Sequence, residues 1–200
     1  MPRTPKIGMC LDRILPQQHQ KKAAHTAVAE NFENAPPMGV APIDTQSMAL
    51  LTGKKGQPGR TLSVAFMDGS AKNQALVKKV APEWSKYANL TFRFVSGRDG
   101  DIRVSFAQEG AWSYIGTDCL TVPRNQPTMN YGFIDEGTIM HEFGHALGCI
   151  HEHQHPEAGI PWNRERVYQY FAGPPNNWSR QQVDVNLFQK YERSITQFSQ

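Results

Sequence analysis

Residues 141–152 read HEFGHALGCIHE, and no other stretch of the chain constrains its fold as tightly. His141 and His145 stand four apart, so on a helix their rings project from one face, a turn apart, and can grip one ion. Gly148 sits where that helix must stop, because a residue without Cβ takes the left-handed conformation that turns a chain sharply. The turn carries His151 back toward the same ion. Three neutral imidazoles leave one tetrahedral position open, the arrangement of a catalytic rather than a structural zinc. Glu142, next to a ligand, is placed to touch a water in that position. At roughly one in twenty per specified residue, the five fixed residues recur by chance in on the order of one in ten thousand chains this long.

Outward from this motif the elements are ordinary. Glu136 to Met140 (EGTIM) supplies the first turns of the motif helix. Thr61 to Met67 (TLSVAFM) reads as a strand closed by Asp68-Gly69. Ala71 to Tyr87 reads as an amphipathic helix, with Leu76, Val77, Val80, Ala81, Trp84 and Tyr87 at helical spacing on its buried face. Leu90 to Val95 and Asp101 to Phe106 are further strands, the first alternating Leu90, Phe92 and Phe94 against Thr91 and Arg93. Trp112 to Gly116 (WSYIG) and Thr128 to Phe133 complete the set. Beyond Pro156, helices are expected over Arg164 to Phe171 and Ser179 to Tyr191. This order predicts an α+β fold around one mixed sheet.

Residues 1–58 lack sustained periodicity. Turns at Pro36-Pro37 and Ala41-Pro42 and the cluster GKKGQPG at 53–59 mark an N-terminal extension and linker, with one short helix around Lys21 to Phe32. Residues 59–200 are expected to form the catalytic domain, with its C-terminal part incomplete.

With 39% hydrophobic residues among 200, the chain can bury a core without staples. The formal charge of +3 is thinly spread, which argues against nucleic acid as a partner. No window approaches a membrane span, and the first residues lack a signal-peptide apolar stretch. A cytoplasmic or non-classically secreted protein is expected. Cys10, Cys119 and Cys149 are too few and too dispersed for a disulfide framework.

HExxHxxGxxH resembles the extended zinc motif of the metzincins, and Glu152 directly after the third histidine is similar to the astacin subgroup. WSYIG at 112–116 and GTIMH at 137–141 also resemble astacin segments. The resemblance covers about residues 61–152. It implies a zincin-like fold: a twisted five-stranded mixed sheet with a backing helix and an active-site helix. It further implies a protein or peptide substrate lying along an edge strand, here Ala111, Trp112, Ser113, Tyr114 and Ile115, continuing to Gly116. The expected cofactor is one zinc, held by His141, His145 and His151. The expected activity is metalloendopeptidase, with Glu142 as general base.

Several features depart from that pattern. HQHPEAGIPW replaces the Arg-x-Asp-Arg-Asp stretch usual after Glu152, and the cysteine pattern of secreted astacins is absent. Metzincins carry a methionine turn beneath the zinc, whereas no methionine follows Met140. A truncated fragment or a zinc-binding, inactive pseudo-peptidase is therefore the alternative reading, with Phe143 and Leu147 left exposed. His153 and His155 are expected as exposed loop residues, and His19 and His25 carry no role. Cys149 is expected as a small packed residue. Cys10 invites a cysteine-switch reading, but KIGMCLDR lacks the motif such switches carry, so this stays a minor alternative.

Overall fold

The computed structural model describes residues 10, 13, 15–35 and 52–190, apart from 155, 157 and 175. Pro36-Pro37, Ala41-Pro42, His155 and the stretch from Ser194 lie outside the described residues.

Five strands form one sheet: β1 (Arg60–Phe66), β2 (Leu90–Phe94), β3 (Ile102–Ser105), β4 (Ala111–Ser113) and β5 (Met129–Tyr131), in the order β2-β1-β3-β5-β4. All neighbours are parallel except β4, which runs antiparallel to β5 at the sheet edge. The expected mixed five-stranded sheet is present, with the Ala111–Ser113 strand at its rim. Parallel strands are covered on both faces and read as near-continuous apolar runs. Accordingly Ile102, Val104 and Val64 are fully buried.

Among the described residues the α-helices, in chain order, are α1 (Gln17–Glu30), α2 (Ala71–Val80), α3 (Glu136–Ala146), α4 (Arg164–Ala172) and α5 (Arg180–Val183). Ser70 caps α2 by accepting from the amide of Asn73. The helix expected to reach Tyr87 stops at Val80. Pro82 has no N–H to donate to the preceding turn, so residues Ala81–Lys86 tighten into a 3₁₀ segment. That change of pitch swings Tyr87 into solvent, where it is 77% exposed rather than in the core. Trp84 stays against the core and donates its indole N–H to the Met140 carbonyl at 2.8 Å.

The core between α2, α3 and the sheet contains Val77, Val80, Phe92, Met129, Ile139 and Phe143. Phe143 is fully buried and Leu147 packs partly buried against this core, so neither is stranded on the surface as anticipated. The second C-terminal helix is also shorter than expected. It runs Arg180–Val183 and continues as a π-helical turn over Asp184–Phe188, building with α4 a separate cluster of Phe171, Val183 and Leu187.

The described residues of the N-terminal region make specific contacts with the rest of the chain. Asn34 clips α1 to the strand-leading segment, donating to the Ala27 and Lys55 carbonyls and accepting from the Lys55 amide. Arg60 pairs with Glu30, and Lys54 reaches Asp118 at 2.5 Å in a buried ion pair. Burial pushes the Lys54 ammonium down and the Asp118 carboxyl up, in both cases against the pull of the partner. Removing one member of such a pair leaves the other charge buried and uncompensated. Lys54→Met is therefore expected to lower unfolding free energy by about 3–5 kcal/mol, measured by urea titration. A cost below ~1 kcal/mol would show that the pair is not structural.

Candidate metal centre

The motif helix α3 begins at an Asp135 cap, whose side chain accepts from the Thr138 amide at 2.7 Å. It ends as the sequence requires. Gly148 has φ +105°, its amide bonds to the His145 carbonyl, and the Cys149 amide bonds to the Gly144 carbonyl. These two bonds are the paired closure of a Schellman turn. The turn also orients a histidine. His145 Nδ1 lies 2.8 Å from the Cys149 carbonyl. A carbonyl can only accept, so Nδ1 carries the proton and Nε2 presents its lone pair to the cluster.

Three Nε2 atoms converge there. His141 stands 3.1 Å from both His145 and His151, and His145 stands 3.3 Å from His151. A fourth atom joins them: the Cys10 sulfur, 3.4 Å from His145 Nε2. The ligand atoms of Cys10, His141, His145 and His151 all lie within 4.8 Å of one another. Nitrogens bound to a tetrahedral zinc at about 2.0–2.1 Å stand roughly 3.3 Å apart, and a sulfur at about 2.3 Å stands roughly 3.6 Å from each. The three nitrogen spacings and the Cys10–His145 spacing match a four-coordinate N₃S site, so the donor set fits zinc in both chemistry and size.

Cys10 arrives along the sheet edge. It bridges Ala111 in parallel, and Arg13 bridges Tyr114 the same way, so both lie against β4 and its continuation. Leu15 and Ala23 then pack on Trp112, Tyr114 and Val122. The edge-strand residues are consequently covered: Ala111, Trp112, Ser113, Tyr114 and Ile115 are all at least nine-tenths buried.

Glu142 follows His141 on α3 and is fully buried. Tyr131, on β5, lies close to it: burial first, then the Glu142 carboxylate and Cys10, hold its phenol well above the ordinary range. Its hydroxyl donates to the Met129 sulfur at 3.1 Å.

His153 is no exposed loop residue. Its ring stacks on His151 with centroids 5.1 Å apart, and its Nε2 lies 2.9 Å from the Asn186 carbonyl. It braces the third histidine from behind and ties it to the C-terminal cluster. Cys149 is exposed rather than packed, and its part in the site is its carbonyl. The positions of Cys10, Arg13 and Tyr131 in the site are not evident from spacing.

The model of the Astacin peptidase family matches residues 59–192, two-thirds of the chain and the whole of its sheet and motif helix. The chain belongs to the astacin family. Members of that family are zinc-dependent peptidases, in keeping with the metal-sized histidine cluster. Among solved structures, one of myroilysin superposes with a TM-score of 0.71 at 45% identity, covering 75% of this chain and 77% of that one. A second myroilysin structure gives 0.54 at 43% identity, covering 73% and 69%. Zinc metalloproteinase nas-30 of Caenorhabditis elegans is 26% identical over 116 residues. Those residues are 58% of this astacin and 15% of the nematode protein, so this chain spans a small part of that relative.

Proposed function

We propose that this astacin is a zinc-dependent endopeptidase whose own N-terminal segment keeps it latent. The observation that carries the first half is the convergence of three imidazole Nε2 atoms, 3.1–3.3 Å apart, beside the fully buried Glu142. His141, His145 and His151 hold the zinc in this reading. Zinc, when bound, would polarise a carbonyl and lower the pKa of a water to about 7. Glu142 accepts a proton from the attacking water and hands it to the departing amine, for which its place beside a ligand on a rigid helix suits it. A structural site needs no such base, which counts against a purely structural zinc. The edge strand Ala111–Ser113, extending to Ile115, offers its outer edge to an extended substrate peptide once the N-terminal segment leaves it. Pairing along that edge by main-chain bonds is indifferent to where the peptide ends, which favours internal cleavage.

The second half rests on Cys10. Its sulfur stands at the corner that a water must enter, and its segment lies along the strand that a substrate must pair with. The whole chain is then resistant to substrate for a reason independent of any methionine turn. The KIGMCLDR stretch needs no motif for this, because edge-strand pairing and the Leu15 contacts position the sulfur.

The test is a protein-substrate assay of the full chain and of its Cys10→Ala/Arg13→Ala form, with and without chelator. Chelator-sensitive cleavage by the variant is expected. A zinc-loaded, folded variant that cleaves no protein or peptide substrate would instead support the pseudo-peptidase alternative.

A further inference from the structure

The side chain three residues after the blocking cysteine does something the blocking role does not require. Arg13 lays its guanidinium over the Trp112 ring, 4.4 Å from the centroid, and 6.0 Å from that of Tyr114. The two rings meet edge to face at 6.0 Å, forming an aromatic corner beside the edge strand. Trp112 is 2% exposed and Tyr114 8% exposed under this cover. Among the described residues no carboxylate pairs with Arg13, so the rings supply its recognition. The planar guanidinium suits stacking on an indole better than a compact ammonium does.

Along the strand the spacing is fixed. Cys10 is level with Ala111 and Arg13 with Tyr114, so the aromatic corner lies three residues, about 10 Å, from the metal cluster. A peptide paired on this edge with its scissile bond at the cluster carries the side chain of a residue two to four positions away into that corner.

We infer that Trp112 and Tyr114 form a specificity subsite for an arginine side chain of the substrate, and that Arg13 occupies it as a built-in stand-in. The inference rests on the peptidase reading above and adds the substrate class: peptides with arginine two to four residues from the cleaved bond. Trp112 is the principal determinant because it holds the closer ring. A peptide running antiparallel to β4 places this arginine before the bond, and one running parallel places it after.

The experiment uses the full chain as Cys10→Ala/Arg13→Ala, which vacates both the fourth corner of the cluster and the aromatic corner. Quenched-fluorescence peptides are compared in pairs, with arginine or its neutral isostere citrulline at each position from four before to four after the bond. At one position two to four residues away, kcat/KM for the arginine peptide should exceed its partner's on the order of tenfold. That ratio should fall to near one in Trp112→Leu and be largely restored in Trp112→Phe. Tyr114→Leu, with a smaller loss expected, serves if Trp112→Leu does not fold. Ratios within twofold at every position, or a preference that survives both substitutions, would overturn the inference while leaving the peptidase reading intact. If no peptide is cleaved the peptidase reading fails, and calorimetric binding of the same peptide pairs to the same protein decides the subsite. Tighter binding of an arginine peptide, lost in Trp112→Leu, sustains it, and equal binding of both members overturns it.

Discussion

Glu142→Ala, introduced into the Cys10→Ala/Arg13→Ala background, is expected to lower kcat/KM by 10²–10⁴-fold while zinc stays near one per chain. The two readouts separate because Glu142 is not among the converging donors, which are Cys10, His141, His145 and His151. Its carboxylate is fully buried on the same helix as two of the histidines, so nothing from bulk water replaces it easily. Glu142→Gln keeps the shape and removes the basicity, and should lose about as much activity. Steady-state kinetics with metal analysis on the same preparations decides the matter. A variant that loses its zinc along with its activity would make Glu142 a structural support, and one that keeps full activity would remove it from the reaction.

Cys10→Ala alone is expected to raise the activity of the full chain on the order of a hundredfold. A blocking segment that closes the site in about 99 of 100 molecules suppresses turnover by that factor, and removing its metal-facing sulfur reverses most of the bias. The gain falls short of complete because the remaining contacts are unaffected: Arg13 still stacks on Trp112 and Leu15 still packs on the edge-strand aromatics. Adding Arg13→Ala should therefore increase activity again. Initial rates on a neutral peptide, measured for wild type, the single variants and the double, resolve the two contributions. Equal rates for wild type and Cys10→Ala, both zinc-loaded, would contradict the latency reading.

The active-site helix was legible because its information is local. His141, Glu142, His145 and Gly148 lie within eight residues, and helix pitch together with one left-handed glycine fixes their relations. The sheet was legible for a similar reason, since buried parallel strands carry concentrated apolar runs such as Val64 to Phe66. Boundaries moved where backbone chemistry intervened, as at Pro82, which ends the α-helical hydrogen-bond ladder before Tyr87. Cys10 was legible only as a minor cysteine-switch alternative, because its contact with His145 spans 135 residues of chain and its pairing is with an existing strand edge rather than within a periodic element. A lone cysteine in an aperiodic stretch carries no pattern that marks such a docking. His153 was misread for the opposite reason. Next to three ligand-type residues it looks like a loop histidine, yet the turn after Gly148 stacks it on His151 and aims it at Asn186.

A zinc held by three histidines and capped by Cys10 has a distinctive X-ray absorption spectrum at the zinc edge. The full chain should show three nitrogen scatterers at about 2.0–2.1 Å and one sulfur at about 2.3 Å. In Cys10→Ala the sulfur shell should vanish and a light atom at nitrogen or oxygen distance take its place, with the histidine shell unchanged. A full-chain spectrum with no sulfur at the zinc, or a sulfur shell that persists in Cys10→Ala, would rule out Cys10 as the fourth ligand.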